Sequence, residues 1–251
     1  MPRLAAQQTA GYFPTPAHLI PALAALVDPG PACQPRTVSL GYPQYGTVAL
    51  LDPCAGTGAA LIALAHAWCG PDLTTGRPHV RAYGCELETQ RASALQVAWG
   101  RISYQAGTAA LAGDAFRATW DSQSAGVSVL YLNPPYDQDP RYGRLEEAFL
   151  ARFTPALRPD GGILLLVIPA GALAASAATL ATHYAHLACY RFPPAEAQYH
   201  QVVLVARRAR HPLPAEFAAE ATPPRPPGPG LGRRSRVDPR PPPRREYPAG
   251  V

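Results

Sequence analysis

The stretch TVALLDPCAGTGAALIALAHAWC, residues 47–69, decides the fold. Its first five residues are a continuous apolar or β-branched run. Such a run suits a strand covered on both faces, as strands of parallel sheets are. Pro53 cannot donate to a sheet ladder and ends the strand just after Asp52. Gly56 and Gly58 let the backbone turn tightly or pass close to a ligand. The alanine- and leucine-rich segment that follows reads as a helix. Strand, glycine turn and helix in immediate succession open a βαβ unit.

Working outward, the alternation repeats. HVRAYGCE (79–86) reads as a strand and LETQRASALQVAWGRI (87–102) as a helix. AALAGDAF (109–116) holds a short strand and a turn, and GVSVLYLN (126–133) is a strand. GRLEEAFLARFTPAL (143–157) is a helix, GGILLLVIP (161–169) a strand, and residues 170–185 an alanine-rich helix. HLACYRFP (186–193) and YHQVVLVARR (199–208) have no helix between them, so they pair as an antiparallel hairpin at the sheet edge. The expected fold is therefore α/β: a doubly wound, Rossmann-like sheet, mostly parallel, with an antiparallel edge hairpin. Upstream, residues 17–27 carry apolar groups at helical spacing. Three regions result: an N-terminal segment (1–46), a catalytic-domain candidate (47–210), and a proline- and arginine-rich tail (211–251) expected to be disordered or polyproline II.

Composition narrows the function classes. All 22 basic residues are arginine, and the formal charge is +5. Residues 1–210 hold 15 Arg against 13 acids, and residues 211–251 hold 7 against 4, so the folded part is only mildly basic. That charge permits nucleic-acid binding without demanding it. Five widely spaced cysteines without a CxxC pair argue against a disulfide framework or a zinc site and for a reducing cytoplasm. The seven histidines show no metal-ligand spacing, so no metal is expected. Residues 161–181 are apolar enough to suggest a membrane span, but Pro169 and Gly171 interrupt them, and no membrane association is expected.

In a doubly wound sheet, ligands bind beyond the carboxyl ends of the strands. The residues there, in chain order, are Asp52, Glu86, Asp114 and Asn133. The glycine turn is not a Walker loop, because the chain has no lysine, and Leu61 stands where a dinucleotide fingerprint needs glycine. Taken singly, Glu86 reads either as a solvated charge or as an acceptor for ribose hydroxyls. Asp114 reads either as the cap of a turn or as an acceptor for an adenine amino group. Glycine turn, acid, acid and Asn-Pro-Pro-Tyr on successive strand ends form a coherent ligand-binding set.

Together, LLDPCAGTG, GCE, GDAF and NPPY resemble a class I S-adenosylmethionine-dependent methyltransferase of the amino-methylating group. The upstream Gly11-Tyr-Phe-Pro-Thr-Pro16 resembles the segment before the cofactor motif in adenine-N6 DNA methyltransferases. The resemblance covers residues 11–210. It implies S-adenosylmethionine as cofactor, with Phe13, Thr15, Asp52, Ala55, Gly56, Gly58, Glu86 and Asp114 around it. It implies Asn133, Pro134, Pro135 and Tyr136 as the catalytic tetrapeptide, and Tyr199 as an aromatic packing on the target base.

The chemistry explains the tetrapeptide. An exocyclic amino nitrogen is a poor nucleophile because its lone pair is delocalised into the ring. The Asn133 side-chain carbonyl and the Pro134 backbone carbonyl can hold both amino protons and help localise that lone pair. Tyr136 can stack on the base, which a duplex must first flip out. The implied partner is DNA, with RNA and a protein glutamine amide as alternatives, and a non-catalytic nucleic-acid-binding subunit as the contrasting class. No recognition module is visible in the sequence, which leaves relaxed target choice, a separate specificity partner and action on RNA open.

Overall fold

The computed structural model describes residues 12–29, 35–37, 43–45, 47–69, 79–100, 109–119, 126–159 and 161–212. The chain divides into a unit Met1–Ala221 and a unit Thr222–Val251. The fold below belongs to the first. Gly11 and the tail beyond residue 212 lie outside the described residues.

Seven strands form one sheet: β1 (Thr47–Asp52), β2 (His79–Glu86), β3 (Ala109–Ala112), β4 (Val129–Leu132), β5 (Ile163–Pro169), β6 (Tyr184–Arg191) and β7 (Gln201–Arg208). Their spatial order is β6-β7-β5-β4-β1-β2-β3. The β1–β2, β2–β3, β1–β4 and β4–β5 pairs are parallel, whereas β7 runs antiparallel to both β5 and β6. The expected closing hairpin is thus present, with its second strand inserted between β5 and the edge strand β6. The order reverses at β1, which places a crevice between the carboxyl ends of β1 and β4.

Among the described residues, five α-helices accompany the sheet: α1 (Ile20–Ala25), α2 (Ala59–Cys69), α3 (Thr89–Gly100), α4 (Leu145–Phe153) and α5 (Leu173–His183). Their packing follows from strand periodicity. In β5, Ile163, Leu165 and Val167 join a core with Leu23, Leu61, Leu64, Leu95 and Trp99, from α1, α2 and α3. Leu164, Leu166 and Ile168 face the other way and join Phe149, Leu150 and Leu180, from α4 and α5. Alternate side chains of one strand therefore build two cores on opposite faces of one sheet. Burial of about 1.5–3 kcal/mol per large aliphatic side chain makes this three-layer stack the dominant stabilising element.

The element boundaries differ modestly from expectation. Strand β6 begins at Tyr184, so residues 184 and 185, read as the end of a helix, are extended. The buried Tyr184 hydroxyl is 2.8 Å from the Thr154 hydroxyl, and this tertiary contact outweighs local alanine propensity. A ribbon of Gln138–Asp139 against Gly143–Arg144 follows the tetrapeptide, and a second pairs Pro35–Thr37 with Pro43–Tyr45. Both are too short to leave a periodic signal. No described helix is long and apolar enough to cross a membrane.

Candidate active site

The glycine turn is built by backbone bonds before any ligand is considered. The Ala55 N–H donates to the Cys85 carbonyl (2.8 Å), Gly58 N–H to Ala55 (2.8 Å), and Ile62 N–H to Gly58 (2.9 Å), launching α2. Gly56 lies at φ +56° and a Cβ there would come within 2.5 Å of the Tyr12 ring. Conformation and space both call for glycine at that position.

Glu86 ends β2 and is buried. One of its carboxylate oxygens, Oε2, accepts from Gly56 N–H at 2.9 Å. The other accepts from Glu88 N–H (2.9 Å) and from Arg91 Nε (3.1 Å) and Nη2 (2.9 Å). Arg91 sits 4.6 Å from the centre of the Tyr12 ring. Tyr12, Gly56, Glu86 and Arg91 thus close on one another at the mouth of the glycine turn. Glu88 caps α3 by accepting from Gln90 N–H and Arg91 N–H, and these bonds lower its carboxyl pKa.

Asp52 is 2% exposed and accepts from the Cys54 N–H at 3.0 Å. Burial pushes its carboxyl pKa up from 3.8 to about 7; the Cys54 bonds oppose the shift and Glu86 adds to it. Burial and the Asp52 charge likewise push the Cys54 thiol well up, so it is held protonated. Asp114 accepts from Phe116 N–H at 2.9 Å and caps the turn Ala115–Arg117, the structural half of its expected role.

Beyond β4, the tetrapeptide is held by the N-terminal segment. Asn133 Nδ2 donates to the Phe13 carbonyl (2.8 Å) and to Thr15 Oγ1 (3.2 Å). Thr15 Oγ1 lies 2.6 Å from the hydroxyl of Tyr131, itself fully buried in β4. Tyr136 donates its hydroxyl to Asn133 Oδ1 at 2.7 Å, and Gln201 Nε2 donates to that hydroxyl at 2.6 Å. Phe13 stacks on Tyr136 with ring centres 5.1 Å apart and planes 11° from parallel. Burial raises the Tyr136 phenol pKa, so it stays a neutral donor.

A cavity of about 290 Å³ opens beside these groups, at the lower end of ligand-pocket sizes. Phe13, Glu86, Asp114, Asn133 and Pro135 line it, together with Tyr12, Cys54, Arg91 and Phe116. Asp52, Ala55, Gly56 and Gly58 belong to the glycine turn and are not among its lining residues, and Thr15 is turned toward Asn133 and Tyr131. Pro134 is buried. Tyr199 ends the 3-10 segment Pro194–Tyr199, and its side chain lies outside the described atoms.

Sequence reasoning missed Tyr12, Arg91, Tyr131 and Gln201. Gln201 left a trace as the one polar residue heading the run VVLVA, and Arg91 as a cation on the first turn of α3, five residues after Glu86. Tyr131 gave none, since a tyrosine in a buried strand reads as core. Among the described residues, no group of three His, Cys, Asp or Glu side chains is placed to hold a metal ion.

The chain matches known proteins in sequence profile and in fold. Residues 2–220 match the profile of the uncharacterised methyltransferase family DUF6094. The chain belongs to this family. As a DUF6094 methyltransferase it is similar in fold to a Listeria monocytogenes protein assigned to the class I S-adenosylmethionine-dependent methyltransferases. The two are 16% identical with a TM-score of 0.59, over 82% of this chain and 66% of that one. It is also similar to a type I restriction–modification methyltransferase subunit from Streptococcus thermophilus, with 19% identity and a TM-score of 0.53. That match covers 79% of this chain and 44% of that one. A chain from another type I restriction–modification assembly gives 19% identity and a TM-score of 0.57, over 81% and 43%. The DUF6094 chain thus spans about two thirds of the first of these proteins and under half of the other two. No match was found among curated proteins. Family and fold together imply S-adenosylmethionine as the methyl donor.

The residues present fit that cofactor. The backbone at Gly56 lies bare of a side chain beside Glu86 and Tyr12, and the carboxylates of Glu86, Glu88, Asp114 and Asp139 line the cavity. An acid-lined site suits a ligand bearing a sulfonium and an ammonium against one carboxylate.

Proposed function

We propose that this protein transfers a methyl group from S-adenosylmethionine to the exocyclic N6 amino group of adenine in DNA. The observation that carries the reading is the oriented carbonyl of Asn133. Its Nδ2 faces the Phe13 carbonyl, which can only accept, so Oδ1 must face the other way. Tyr136 uses one lone pair of that oxygen and leaves the second for a substrate N–H. With the Pro134 backbone carbonyl as the second acceptor, both amino protons are held and the lone pair of the nitrogen is aimed at the cofactor side. The bound cofactor supplies an electrophilic methyl group and needs no metal for it.

Glu86, with Gly56 behind it, would take the ribose hydroxyls once Arg91 gives way. Asp114 and Phe116 would meet the adenine, and the turn from Asp52 through Ala55 to Gly58 would follow the methionine part. On the target side, Phe13 already lies on Tyr136. An aromatic pair is worth about 0.5–1.5 kcal/mol, and a base stacked on an aromatic about 1–3 kcal/mol, so exchanging Phe13 for a planar base is affordable. Tyr199, close in sequence to Gln201, would add a second aromatic wall. A separate specificity partner fits the likeness in fold to a type I restriction–modification methyltransferase subunit. The arginine-rich tail would add salt-sensitive phosphate contacts.

The test is transfer of labelled methyl groups from S-adenosylmethionine to unmethylated DNA, RNA and protein pools, with product nucleosides identified by mass. N6-methyladenine in DNA, lost in Asn133→Ala, is the expected result. Label in RNA or in protein glutamine would keep the chemistry and replace the substrate. Cofactor binding without transfer to any pool would point to a binding subunit or to a missing specificity partner.

A further inference from the structure

Gln201 opens β7, a strand otherwise apolar through Ala206, and is buried at 6% exposure. In register it stands opposite Pro169, at the end of β5, which is the neighbour of β4. The preceding residue, His200, is a non-glycine at φ +49°, and its carbonyl accepts from Ala170 N–H at 2.9 Å. That left-handed conformation costs about 1–2 kcal/mol for an L-residue. A strained residue and a buried polar side chain side by side at a strand end are expensive, and packing alone would be served better by an apolar residue.

The hydrogen-bond directions are forced from one end. The Phe13 backbone carbonyl can only accept, so the Asn133 amide nitrogen faces it and its oxygen faces Tyr136. The Tyr136 proton is thereby committed to that oxygen. What remains on the phenol is a lone pair, and the group facing it must be a donor, the Gln201 amide N–H. A chain of three donors, Gln201 to Tyr136 to Asn133 to Phe13, therefore ends in a backbone carbonyl and is satisfied at every link. Such chains strengthen cooperatively and fix a single arrangement.

We propose that Gln201 is a positioning residue for methyl transfer: by donating to the Tyr136 hydroxyl it fixes both the plane of that ring and the direction of the Asn133 carbonyl that receives the target amino group. The proposal rests on the methyltransferase reading of the site. Gln201 is not among the residues lining the cavity, and its amide reaches Asn133 through the Tyr136 hydroxyl. Without its donor, the phenol is free to rotate its proton away, and the acceptor presented to the substrate is no longer unique.

Gln201→Met tests this, since methionine fills a similar volume at a buried position but cannot donate. The first readout needs no substrate: the side-chain NH₂ signals of Asn133 in a ¹⁵N-labelled protein. They shift in Gln201→Met if the relay exists, and the same change made in a Tyr136→Phe background leaves them in place. The second readout is kinetic: kcat falls about tenfold, the cost of one hydrogen bond in the transition state, with the Kd for S-adenosylmethionine unchanged. Unmoved Asn133 signals would overturn the proposal whatever the activity. Shifted signals with an unchanged kcat, where Asn133→Ala abolishes transfer, would also overturn it. If the wild-type protein methylates none of the pools, the reading of the reaction fails, and the NMR arm still decides whether the relay exists.

Discussion

Substitution of Asp52 by asparagine separates the electrostatics of the cofactor site from its geometry. Asparagine keeps an oxygen to accept the Cys54 N–H, so the glycine turn should survive. What disappears is a buried titration. Burial holds the Asp52 pKa at about 7 in the folded protein against 3.8 for the free side chain. The folded state therefore binds this proton more tightly than the unfolded one. Its contribution to stability is fully present below pH ~4 and is lost as pH rises through about 7. Roughly three units correspond to about 4 kcal/mol at most, on the order of 10 °C in Tm for a chain this size. A cation in the cavity at ~8 Å and an effective dielectric of ~20 would stabilise the ionised form by about 2 kcal/mol. Cofactor binding should then release a proton, and affinity should rise on the order of tenfold between pH 6 and 8. Thermal melts across that range, with calorimetric titrations in two buffers of different ionisation heat, measure both effects. In Asp52→Asn the Tm slope between pH 5 and 8 flattens, proton release vanishes, and affinity at pH 8 drops toward the wild-type value at pH 6. A variant that kept the wild-type slope in both assays would refute the assignment of the titration to Asp52.

Replacing Arg91 with methionine should lower the Tm of the cofactor-free protein, since Glu86 loses a buried partner worth about 2 kcal/mol. The same change should tighten cofactor binding, because the arginine competes for the carboxylate that the ribose would use; equilibrium dialysis of labelled S-adenosylmethionine reads this directly. Gly56→Ala should cost about 1 kcal/mol from its positive φ alone. It should also push Tyr12 off the turn and weaken cofactor binding, seen as a lower Tm in urea or heat and a raised Kd.

Much of the architecture was legible because each strand carried its own stop signal. Pro53 and the Pro134–Pro135 pair stop β1 and β4 where an apolar run meets residues that cannot donate to the ladder, and the carboxylate of Glu86 marks the end of β2. Period and punctuation alone yield those ends, and the ends yield the site. Lateral facts were not legible. That β7 slips between β5 and β6 depends on which edge of β5 is open, and no local pattern encodes that. Tyr131 and Gln201 were hidden for a related reason. Each sits in a run whose neighbours are buried for packing, and its polar atom matters only through a partner about 65 or more residues away. Arg91 was hidden by its charge, since an arginine on the first turn of a helix reads as a solvated face.

The two halves of the site use opposite physics, and that division suits the proposed chemistry. Around the glycine turn lie carboxylates, with Asp52 and Glu86 buried and Asp114 half-buried, where charge attracts a cationic ligand and loses its hold once the ligand becomes neutral. Around Asn133 the groups are uncharged: an amide, two phenols, a threonine hydroxyl and a second amide, each satisfied by the next. The fixed dipole of a neutral carbonyl gains as positive charge grows on the nitrogen during transfer. Placing the full charges on the donor side and only dipoles on the acceptor side lets the site discriminate cofactor from product without trapping the substrate.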